Sequence, residues 1–233
     1  PRSRGLGDVY KRQGISMAHS TENIIIITSY VDAPFDMKQA LTQMKDPYII
    51  CTDGGFDLAK QAGITPHLLL GDLDSIQSRI PKELPLKTFP PEKDYTDLEL
   101  AIHTAIEKKA SHVEIWGGIG GRLDHTVANL QLLSCYAEQF RSLSMHDGQN
   151  RCFVLNAKGT QKSITIPQEK DCYLSLFSLS ETVQGLTAKG VKYPLQNHTL
   201  TRTFPLGVSN EFKQKEAFLS LEKGSLLIVL AKA

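Results

Sequence analysis

Over the first half of the chain, short apolar runs alternate with segments whose apolar residues recur with the helical period. Predicted strands cover residues 24–28, 48–52, 67–70 and 112–116. Predicted helices cover residues 35–44, a stretch that ends at Gly63, residues 96–109, and a long segment with Leu123, Val127, Leu130 and Ala137 along one stripe. Strands that alternate with helices predict a parallel sheet with helices on both faces.

After residue 142 the helical period disappears. Short predicted strands cover residues 152–156, 163–167, 173–179, 217–221 and 225–231, and Gly, Pro and Asn residues interrupt the chain between them. This pattern predicts a small antiparallel sandwich or barrel. We therefore expect an α/β chain of two domains, with a Rossmann-like parallel sheet and flanking helices at 17–142 and a small antiparallel β domain at 143–233.

Composition and charge narrow the range of functions. Of the 233 residues, 41% are hydrophobic and 22% are charged, values typical of globular proteins. Residues 1–16 lack periodicity and precede Met17, so we expect them to be a non-native or upstream leader outside the fold. They are rich in basic residues, which leaves the rest of the chain slightly acidic although the whole has a net charge of +1. The charge therefore predicts no nucleic-acid partner.

Two other features bear on the compartment. No apolar run approaches the roughly 18 residues that cross a bilayer, so no membrane partner is expected. The four cysteines include no CxxC pair, and no apolar signal segment precedes Met17. These features predict a reduced, cytoplasmic protein.

Two clusters follow predicted strands, at the edge where open α/β sheets bind ligands. Asp53, Gly54 and Gly55 follow the second strand, where glycine lets backbone N–H groups approach a phosphate; an ordinary turn is the alternative. Asp72 and Asp74 leave the third strand two residues apart, and two carboxylates so placed can share a divalent cation. A solvated turn that separates the two charges is the alternative.

A third cluster begins a predicted helix. Thr96 and Glu99 form a capping box, and Asp97 lies in the first helical turn, where the helix dipole favours a carboxylate. Capping does not explain Asp94 or the long approach that precedes it, which resembles a shaped loop.

A fourth cluster, the glycine-rich segment at 117–121, lies between the predicted strand at 112–116 and the long predicted helix. It resembles a phosphate cradle. Arg122 adds a cation that can grip phosphate through two hydrogen bonds. Asp124 belongs to the same site or merely caps the helix, and His125 taken alone is predicted to be an ordinary histidine. Carboxylates for a metal together with a phosphate site favour phosphoryl transfer.

Five motifs occur in order along the chain: DGG (53–55), GDLDS (71–75), KDYTDLE (93–99), GGRLDH (120–125) and SNE (209–211). In this order they resemble bacterial thiamine pyrophosphokinase. The resemblance implies an α/β nucleotide-binding domain followed by a β-sandwich, and transfer of pyrophosphate from ATP to the hydroxyl of thiamine, which gives thiamine diphosphate and AMP. It also implies Mg²⁺ as cofactor and a homodimer, with thiamine between one subunit's first domain and the partner's second domain.

The resemblance implies roles for individual residues as well. Three aspartates would hold magnesium and the ATP phosphates: Asp72, Asp74 and Asp97. The nucleotide and pyrophosphate site would include Asp53, Gly54, Gly55, Thr96, Arg122 and Asp124. Ser209 and Asn210 would reach thiamine. The mammalian branch of the family stacks a tryptophan on thiamine, but the only tryptophan here, Trp116, lies in a predicted strand, so Phe204 or Phe212 is expected in its place.

Two other functions fit the residues, namely a pyrophosphokinase that acts on a pterin alcohol and a non-catalytic nucleotide-sensing module. Three metal-facing aspartates favour catalysis over sensing. A thiamine cation favours an acidic and aromatic pocket, whereas a neutral pterin requires paired amide-type hydrogen bonds. The residues leave open whether an aspartate accepts the hydroxyl proton or the metal acidifies the hydroxyl.

Overall fold

A computed structural model describes residues 20–31, 35–89, 95–159 and 161–233. Within these residues the helices and strands are, in chain order, β1 (Asn23–Ile27), α1 (Met37–Leu41), β2 (Tyr48–Thr52), α2 (Gly55–Gln61), β3 (Leu68–Leu70), β4 (Leu86–Lys87), α3 (Asp97–Glu107), β5 (His112–Trp116), α4 (Leu123–Tyr136), β6 (Ser142–His146), β7 (Asn150–Asn156), β8 (Ser163–Pro167), β9 (Cys172–Ser178), β10 (Thr182–Lys189), β11 (Leu195–Thr201), β12 (Gly207–Glu211), β13 (Glu216–Ser220) and β14 (Ser225–Lys232). The predicted leader, residues 1–16, lies outside the described residues.

Ten strands form one sheet, sheet A, in the order β12-β9-β14-β7-β6-β5-β1-β2-β3-β4. The strands from β6 to β4 are parallel to one another and form the predicted Rossmann-like sheet. The strands from β7 to β12 continue the same sheet in antiparallel fashion. A central parallel strand is buried on both faces, which is why β1 contains a run of isoleucines with 0% exposed surface.

Helices cover both faces of the parallel half, as predicted. On one face, α3 contributes Leu98, Ile102 and Ala105 to a core that also contains Leu133 of α4. On the other face, α1 and α2 pack over Ile25 and other residues of β1 and β2. The two cores hold the parallel strands between helical layers, and this arrangement brings the ends of the strands to one open edge.

Sheet B consists of β11, β10, β13 and β8 in that order, all antiparallel. It packs against the antiparallel half of sheet A around a core that includes Leu174, Leu186, Leu219 and Ile228. The predicted β-sandwich is therefore present, and one of its two layers is a continuation of the parallel sheet. The boundary predicted between residues 142 and 143 falls within β6, the strand that joins the two halves.

The structure confirms every predicted strand, with ends within two residues of the predicted ones. The sequence analysis did not predict β4, β6, β10, β11 or β12. In β6, Leu143 and Met145 alternate with Ser142, Ser144 and His146; the apolar pair packs into the α3 and α4 core, and Ser144 is buried as well. A short strand with so few apolar residues gives a weak pattern.

The apolar stripe of α4 is largely open to solvent. Leu133 is the buried residue of this helix, whereas Leu123 is 75% exposed and Val127 is 48% exposed. The stripe therefore packs only in part on the core of its own chain. Among the helices of the described ranges, α4 included, none combines the length and the apolar character that a membrane crossing requires.

Candidate active site

A cleft of about 640 Å³ opens at the carboxyl edge of the parallel half of sheet A. Its walls come from the residues that follow β1, β2 and β3 and from the first turns of α3 and α4. Parallel strands end at the same edge, so residues that are distant in sequence meet here. Of the predicted site residues, the cleft is lined by Asp53, Asp72, Asp74, Thr96, Asp97 and Asp124.

Three carboxylates converge in this cleft. Asp53, Asp72 and Asp97 each offer one oxygen atom, and these atoms lie within 4.8 Å of one another. Asp72 is exposed, and the other two are half-buried. Because magnesium and calcium prefer carboxylate oxygens as ligands, the three side chains fit a divalent cation.

Gly71, between β3 and Asp72, leaves the space that this group occupies. Its φ is +124°, and a Cβ at this position would lie 2.9 Å from Oδ2 of Asp97 and 3.2 Å from Oδ1 of Asp53. Glycine adopts this backbone conformation without steric cost, and other residues do not. A side chain at position 71 would therefore strain the backbone and displace the carboxylates.

Asp53 leaves β2 with a φ of 49°, a left-handed conformation that aspartate adopts more readily than most residues. Gly54 then forms the N-cap of α2, and Gly55 is the first residue of this helix. A Cβ on Gly55 would collide with the backbone oxygen of Ile27, so the glycine lets α2 begin directly against the end of β1. Helix packing thus accounts for Gly55, and the phosphate contacts of both glycines stay a prediction.

Asp74 lines the same cleft but lies outside the group of three carboxylates. The Asp74 backbone N–H donates a hydrogen bond to Oδ1 of Asp72 at 3.2 Å, and Leu73 between them has a φ of 68°. Leucine is rare in this conformation, which costs energy and is typical of functional sites. The structure therefore groups Asp53 with Asp72 and Asp97, whereas the sequence analysis placed Asp74 in that group.

Thr96 caps α3 as predicted. Its Oγ1 accepts a hydrogen bond from the Glu99 N–H at 3.2 Å, and this cap places Asp97 in the first turn of the helix. The Glu99 carboxylate accepts a hydrogen bond from the Tyr136 hydroxyl at 2.6 Å, which ties α3 to α4. Asp94 lies outside the described residues.

The glycine-rich loop at 117–121 is bonded largely to the protein itself. The N–H groups of Gly117, Gly118 and Gly120 donate hydrogen bonds to other parts of the chain at 2.9, 2.8 and 3.1 Å. A Cβ on Gly117 would lie 2.6 Å from the backbone oxygen of Thr28, so this glycine permits close packing on the end of β1. The expectation of a phosphate cradle is wrong for these three amides, because their N–H groups already have acceptors.

Arg122 and Asp124 bind each other. The Nε of Arg122 donates a hydrogen bond to Oδ1 of Asp124 at 3.1 Å, and a second guanidinium nitrogen donates to the other carboxylate oxygen. These hydrogen bonds lower the pKa of Asp124 below its ordinary value. Arg122 occupies the N-cap of α4 without a capping side-chain bond, and Asp124 lies inside the helix, so the aspartate is not the helix cap.

Tyr30 and His125 also line the cleft, and the sequence analysis named neither as a site residue. Their ring centroids are 6.1 Å apart in an edge-to-face arrangement. Tyr30 follows β1 and therefore lies at the same carboxyl edge as Asp53 and Asp72. The rule that drew attention to the ends of the second and third strands applies equally to the first, and it could have found Tyr30.

Ser209 and Asn210 lie on β12, at one edge of sheet A. Asn210 is buried, and its side chain accepts a hydrogen bond from the Tyr193 N–H at 3.0 Å and donates one to the Tyr193 carbonyl at 2.9 Å. Ser209 is exposed, with a φ of 58° where the pairing with β9 becomes irregular. Seven strands separate β12 from β3, so one chain does not bring these residues to the cleft.

The aromatic candidates for thiamine differ in their surroundings. Trp116 is fully buried in the sheet, as expected. Phe212 packs against the core of the sandwich, whereas Phe204 is 64% exposed. Of the two phenylalanines, Phe204 has the larger free surface for a ligand.

Two family models match separate parts of the chain. The model described as "Thiamin pyrophosphokinase, catalytic domain" matches residues 40–144, and "Thiamin pyrophosphokinase, vitamin B1 binding domain" matches residues 161–226. The chain is similar to the thiamine pyrophosphokinase of Bacillus subtilis (strain 168), with 35% identity over 187 residues that cover 77% of this chain and 85% of that protein. The chain belongs to the thiamin pyrophosphokinase family.

Solved structures of thiamin pyrophosphokinases share the fold. The structure from Bacillus subtilis matches with a TM-score of 0.81 at 30% identity and covers 91% of this chain and 99% of that chain. The structure from Geobacillus thermodenitrificans matches with a TM-score of 0.74 at 30% identity, and the match covers 90% of this chain and 98% of that chain. The mixed parallel sheet followed by a second antiparallel sheet is thus the fold of this family.

Membership of the thiamin pyrophosphokinase family confirms the predicted enzyme class, with ATP as the pyrophosphate donor. The comparisons give no support to the pterin or sensing alternatives. The region matched by the catalytic-domain model contains the cleft residues from Asp53 to Asn129, whereas Thr28, Ser29 and Tyr30 precede it. The region matched by the vitamin B1 binding model contains Ser209 and Asn210.

Proposed function

We propose that the cleft transfers the pyrophosphoryl group of ATP to the hydroxyl of thiamine, and the observation that carries this proposal is the convergence of Asp53, Asp72 and Asp97. A bond forms between the thiamine oxygen and the β-phosphorus. The bond from the β-phosphorus to the oxygen that bridges it to the α-phosphorus breaks, and AMP leaves with that oxygen. The hydroxyl proton passes to a carboxylate of the cleft.

Asp53, Asp72 and Asp97 are the residues that would hold Mg²⁺, and Asp74 in the same cleft stays a predicted fourth ligand. When bound, the ion offsets negative charge on the phosphate oxygens. Phosphoryl transfer depends on positioning and charge neutralisation more than on a strong base. Three convergent carboxylates at a sheet edge, with Gly71 leaving room between two of them, match that requirement.

We assign the ATP phosphates to Arg122, with Gly54, Gly55, Thr96 and Asp124 around them. The guanidinium now binds Asp124, and both side chains are exposed. An exposed ion pair contributes little stability, so a triphosphate can displace the carboxylate at small cost. The bidentate geometry that Arg122 already forms with Asp124 suits two oxygens of a phosphate.

The location of the thiamine-binding residues favours a homodimer. Eight inter-strand steps join β12 to β3, and at a spacing of about 4.8 Å per strand these positions lie roughly 38 Å apart along the sheet. Ser209 therefore serves a cleft only if that cleft belongs to a second copy of the chain. Two copies related by a two-fold axis would complete two such sites.

Exposed apolar residues lie at both places that such a dimer joins. Leu123 and Val127 on α4 flank the cleft, with 75% and 48% exposure. Leu206, just before β12, and Val208, on β12, are 48% and 45% exposed. In a two-fold dimer the same pair of surfaces can meet twice, so each chain would bury both patches.

A mixing experiment tests the shared site. Asp72→Asn damages the cleft, and Ser209→Arg places a positive charge where cationic thiamine is proposed to bind. Each variant alone should be inactive in an assay of AMP release with ATP, Mg²⁺ and thiamine. After subunit exchange, mixed dimers contain one intact site, so activity should recover to about a quarter of the wild-type value.

The matched control mixes Asp72→Asn with Asp97→Asn, two defects in the same cleft. Every cleft in that mixture is damaged, and no activity should return. Equal recovery in both mixtures, or full wild-type activity in a chain that sediments as a monomer at micromolar concentration, would contradict the shared site.

We also propose a cytoplasmic location. All four cysteines are free thiols, and Cys51, Cys152 and Cys172 are buried. Burial raises the pKa of Cys152 to about 12, so this thiol stays protonated and unreactive. Unpaired cysteines are typical of reducing compartments.

A further inference from the structure

Tyr30 has an unusual backbone for a residue of its size. It follows β1 with a φ of 68°, a left-handed conformation that is rare for bulky side chains. Strain of this kind persists where the surrounding structure imposes it, and it is common at ligand sites. The side chain is 38% exposed and lines the cleft.

Gly121 and His125 hold the Tyr30 ring in place. Gly121 has a φ of 61°, and a Cβ there would collide with the ring of Tyr30, so the ring rests directly on the glycine-rich loop. The His125 ring meets the Tyr30 ring edge to face, with centroids 6.1 Å apart. These two rings form an aromatic wall on one side of the cleft.

The aromatic wall and the carboxylates follow different, neighbouring strands at the edge of the cleft. Tyr30 follows β1, and His125 lies in the helix that follows β5, whereas Asp53 follows β2 and Asp72 follows β3. These strands are adjacent in the order β5-β1-β2-β3, so about 5 to 15 Å separates the wall from the carboxylates. A nucleotide whose phosphates lie at the carboxylates would extend its base over such a span.

We propose that Tyr30, supported by His125, stacks on the nucleobase of ATP. This inference rests on the proposed function only in taking the triphosphate to lie between the carboxylates and Arg122. An aromatic face binds any base through its π-surface. Arg122 comes directly after Gly121, on which the Tyr30 ring rests, so the wall lies beside a group that suits anionic phosphates better than the cationic ring of thiamine.

Calorimetric affinities for Mg²⁺–ATP and for Mg²⁺ with inorganic tripolyphosphate test the proposal. Stacking on one aromatic ring contributes a factor of about 5 to 100 in affinity, so Tyr30→Ala should weaken ATP binding by that factor. Tyr30→Phe should keep ATP affinity within about twofold, because the ring is retained. Both variants should bind tripolyphosphate, which has no base, as the wild type does. Phe218→Ala on sheet B, a residue of similar exposure at 37%, is the control and should change neither affinity.

Two results would overturn the proposal: unchanged ATP affinity in Tyr30→Ala, or equal losses for ATP and tripolyphosphate. Equal losses would show that the ring only supports the glycine-rich loop. These affinities require no turnover, so they are independent of the transfer reaction. A wild-type protein that binds ATP through Tyr30 but releases no AMP with thiamine would refute the proposed function and leave this inference standing.

Discussion

The parallel and antiparallel halves of sheet A place their chemically active residues differently. In the parallel half, β1, β2, β3 and β5 all end at one edge, where Tyr30, Asp53, Asp72 and the glycine-rich loop meet around a single cleft. In the antiparallel half, neighbouring strands end at opposite edges. Ser209 and Asn210 lie on β12, the edge strand of this half.

This difference explains why one half can form a nearly complete reaction centre and the other supplies a surface. Parallel topology concentrates residues from several loops, whereas antiparallel topology distributes them along the sheet. In the proposed dimer, the antiparallel half would take part in catalysis by meeting a cleft of another chain. Variants in each half test whether the parallel half binds the metal and ATP while the antiparallel half contacts thiamine.

The largest effect is expected from the carboxylates of the parallel half. Asp72→Asn and Asp97→Asn keep side-chain size but remove the charge that a divalent cation requires. Turnover should fall at least a hundredfold, about 3 kcal/mol of transition-state stabilisation, while the melting temperature stays near that of the wild type. Asp171→Asn is the control, since Asp171 is exposed and far from the cleft. Near-normal turnover per folded molecule in both cleft variants would refute the metal role.

Asp74→Asn distinguishes the two possible ligand sets. A loss as large as that of Asp72→Asn would support the set predicted from the sequence. A loss below about tenfold, together with a hundredfold loss in Asp53→Asn, would support the set whose oxygens converge in the structure.

A smaller effect is expected from Gly71→Ala. The added methyl group would crowd Asp97 and Asp53, and the backbone at φ +124° would be strained, so unfolding free energy should fall by about 1 to 3 kcal/mol and turnover should fall as well. Chemical denaturation and the Mg²⁺ dependence of AMP release measure the two effects. Gly159→Ala, whose added Cβ would lie 3.2 Å from the Asn156 carbonyl oxygen, should leave the Mg²⁺ dependence unchanged. An unchanged Mg²⁺ dependence in Gly71→Ala would contradict its role in spacing the ligands.

In the antiparallel half, Asn210→Ala and Ser209→Ala should separate structure from contact. Asn210→Ala removes the bonds that hold Tyr193 and should lower stability by about 1 to 2 kcal/mol. Ser209→Ala should change stability by less than about 0.5 kcal/mol, because Ser209 is exposed, and should raise the KM for thiamine without changing that for ATP. Chemical denaturation measures the changes in stability, and steady-state kinetics measures the KM values for thiamine and ATP. A raised KM for ATP in Ser209→Ala would place the residue elsewhere in the reaction.

The smallest effect concerns Glu114, at the seam between the two halves. Burial raises the pKa of Glu114, but hydrogen bonds from His146 and Trp116 lower it by a larger amount. The pKa of Glu114 therefore lies below its ordinary value. A carboxyl group whose pKa is lowered by folding stabilises the folded state at pH values above its ordinary pKa. This stabilisation is lost as the pH falls through the lowered pKa. The difference in melting temperature between the wild type and Glu114→Gln should therefore become smaller as the pH is lowered. A gap that is constant with pH would show that the carboxylate charge is irrelevant there.

The sequence predicted the fold well where burial dominates. Runs such as the isoleucines of β1 and the leucines of β3 occur because both faces of a parallel strand are covered. Strand β12 escaped prediction because it is an edge strand, with Asn210 as its only buried residue. The continuity of sheet A through β6 could not be predicted, since pairing between strands leaves no trace in local periodicity.

Within the candidate site, the sequence indicated which strand ends matter but not how the side chains group. The two-residue spacing of Asp72 and Asp74 suggested a shared cation, whereas the structure has a left-handed Leu73 between them and groups Asp72 with Asp53 and Asp97. Tyr30 was missed because a tyrosine after a strand carries no charge or glycine pattern. Backbone conformation, which decides how the aspartates group, is not visible in a single sequence.

Strand β14 has a consequence for how the chain is made. It pairs with β7 on one side and β9 on the other, over seven residues each. The ribosome synthesises β14 after every strand that it joins, so β7 and β9 emerge with open edges that remain unpaired until then. Open edges favour association between nascent chains. The parallel half can therefore assemble during translation, while the vitamin-binding half has to wait for its central strand.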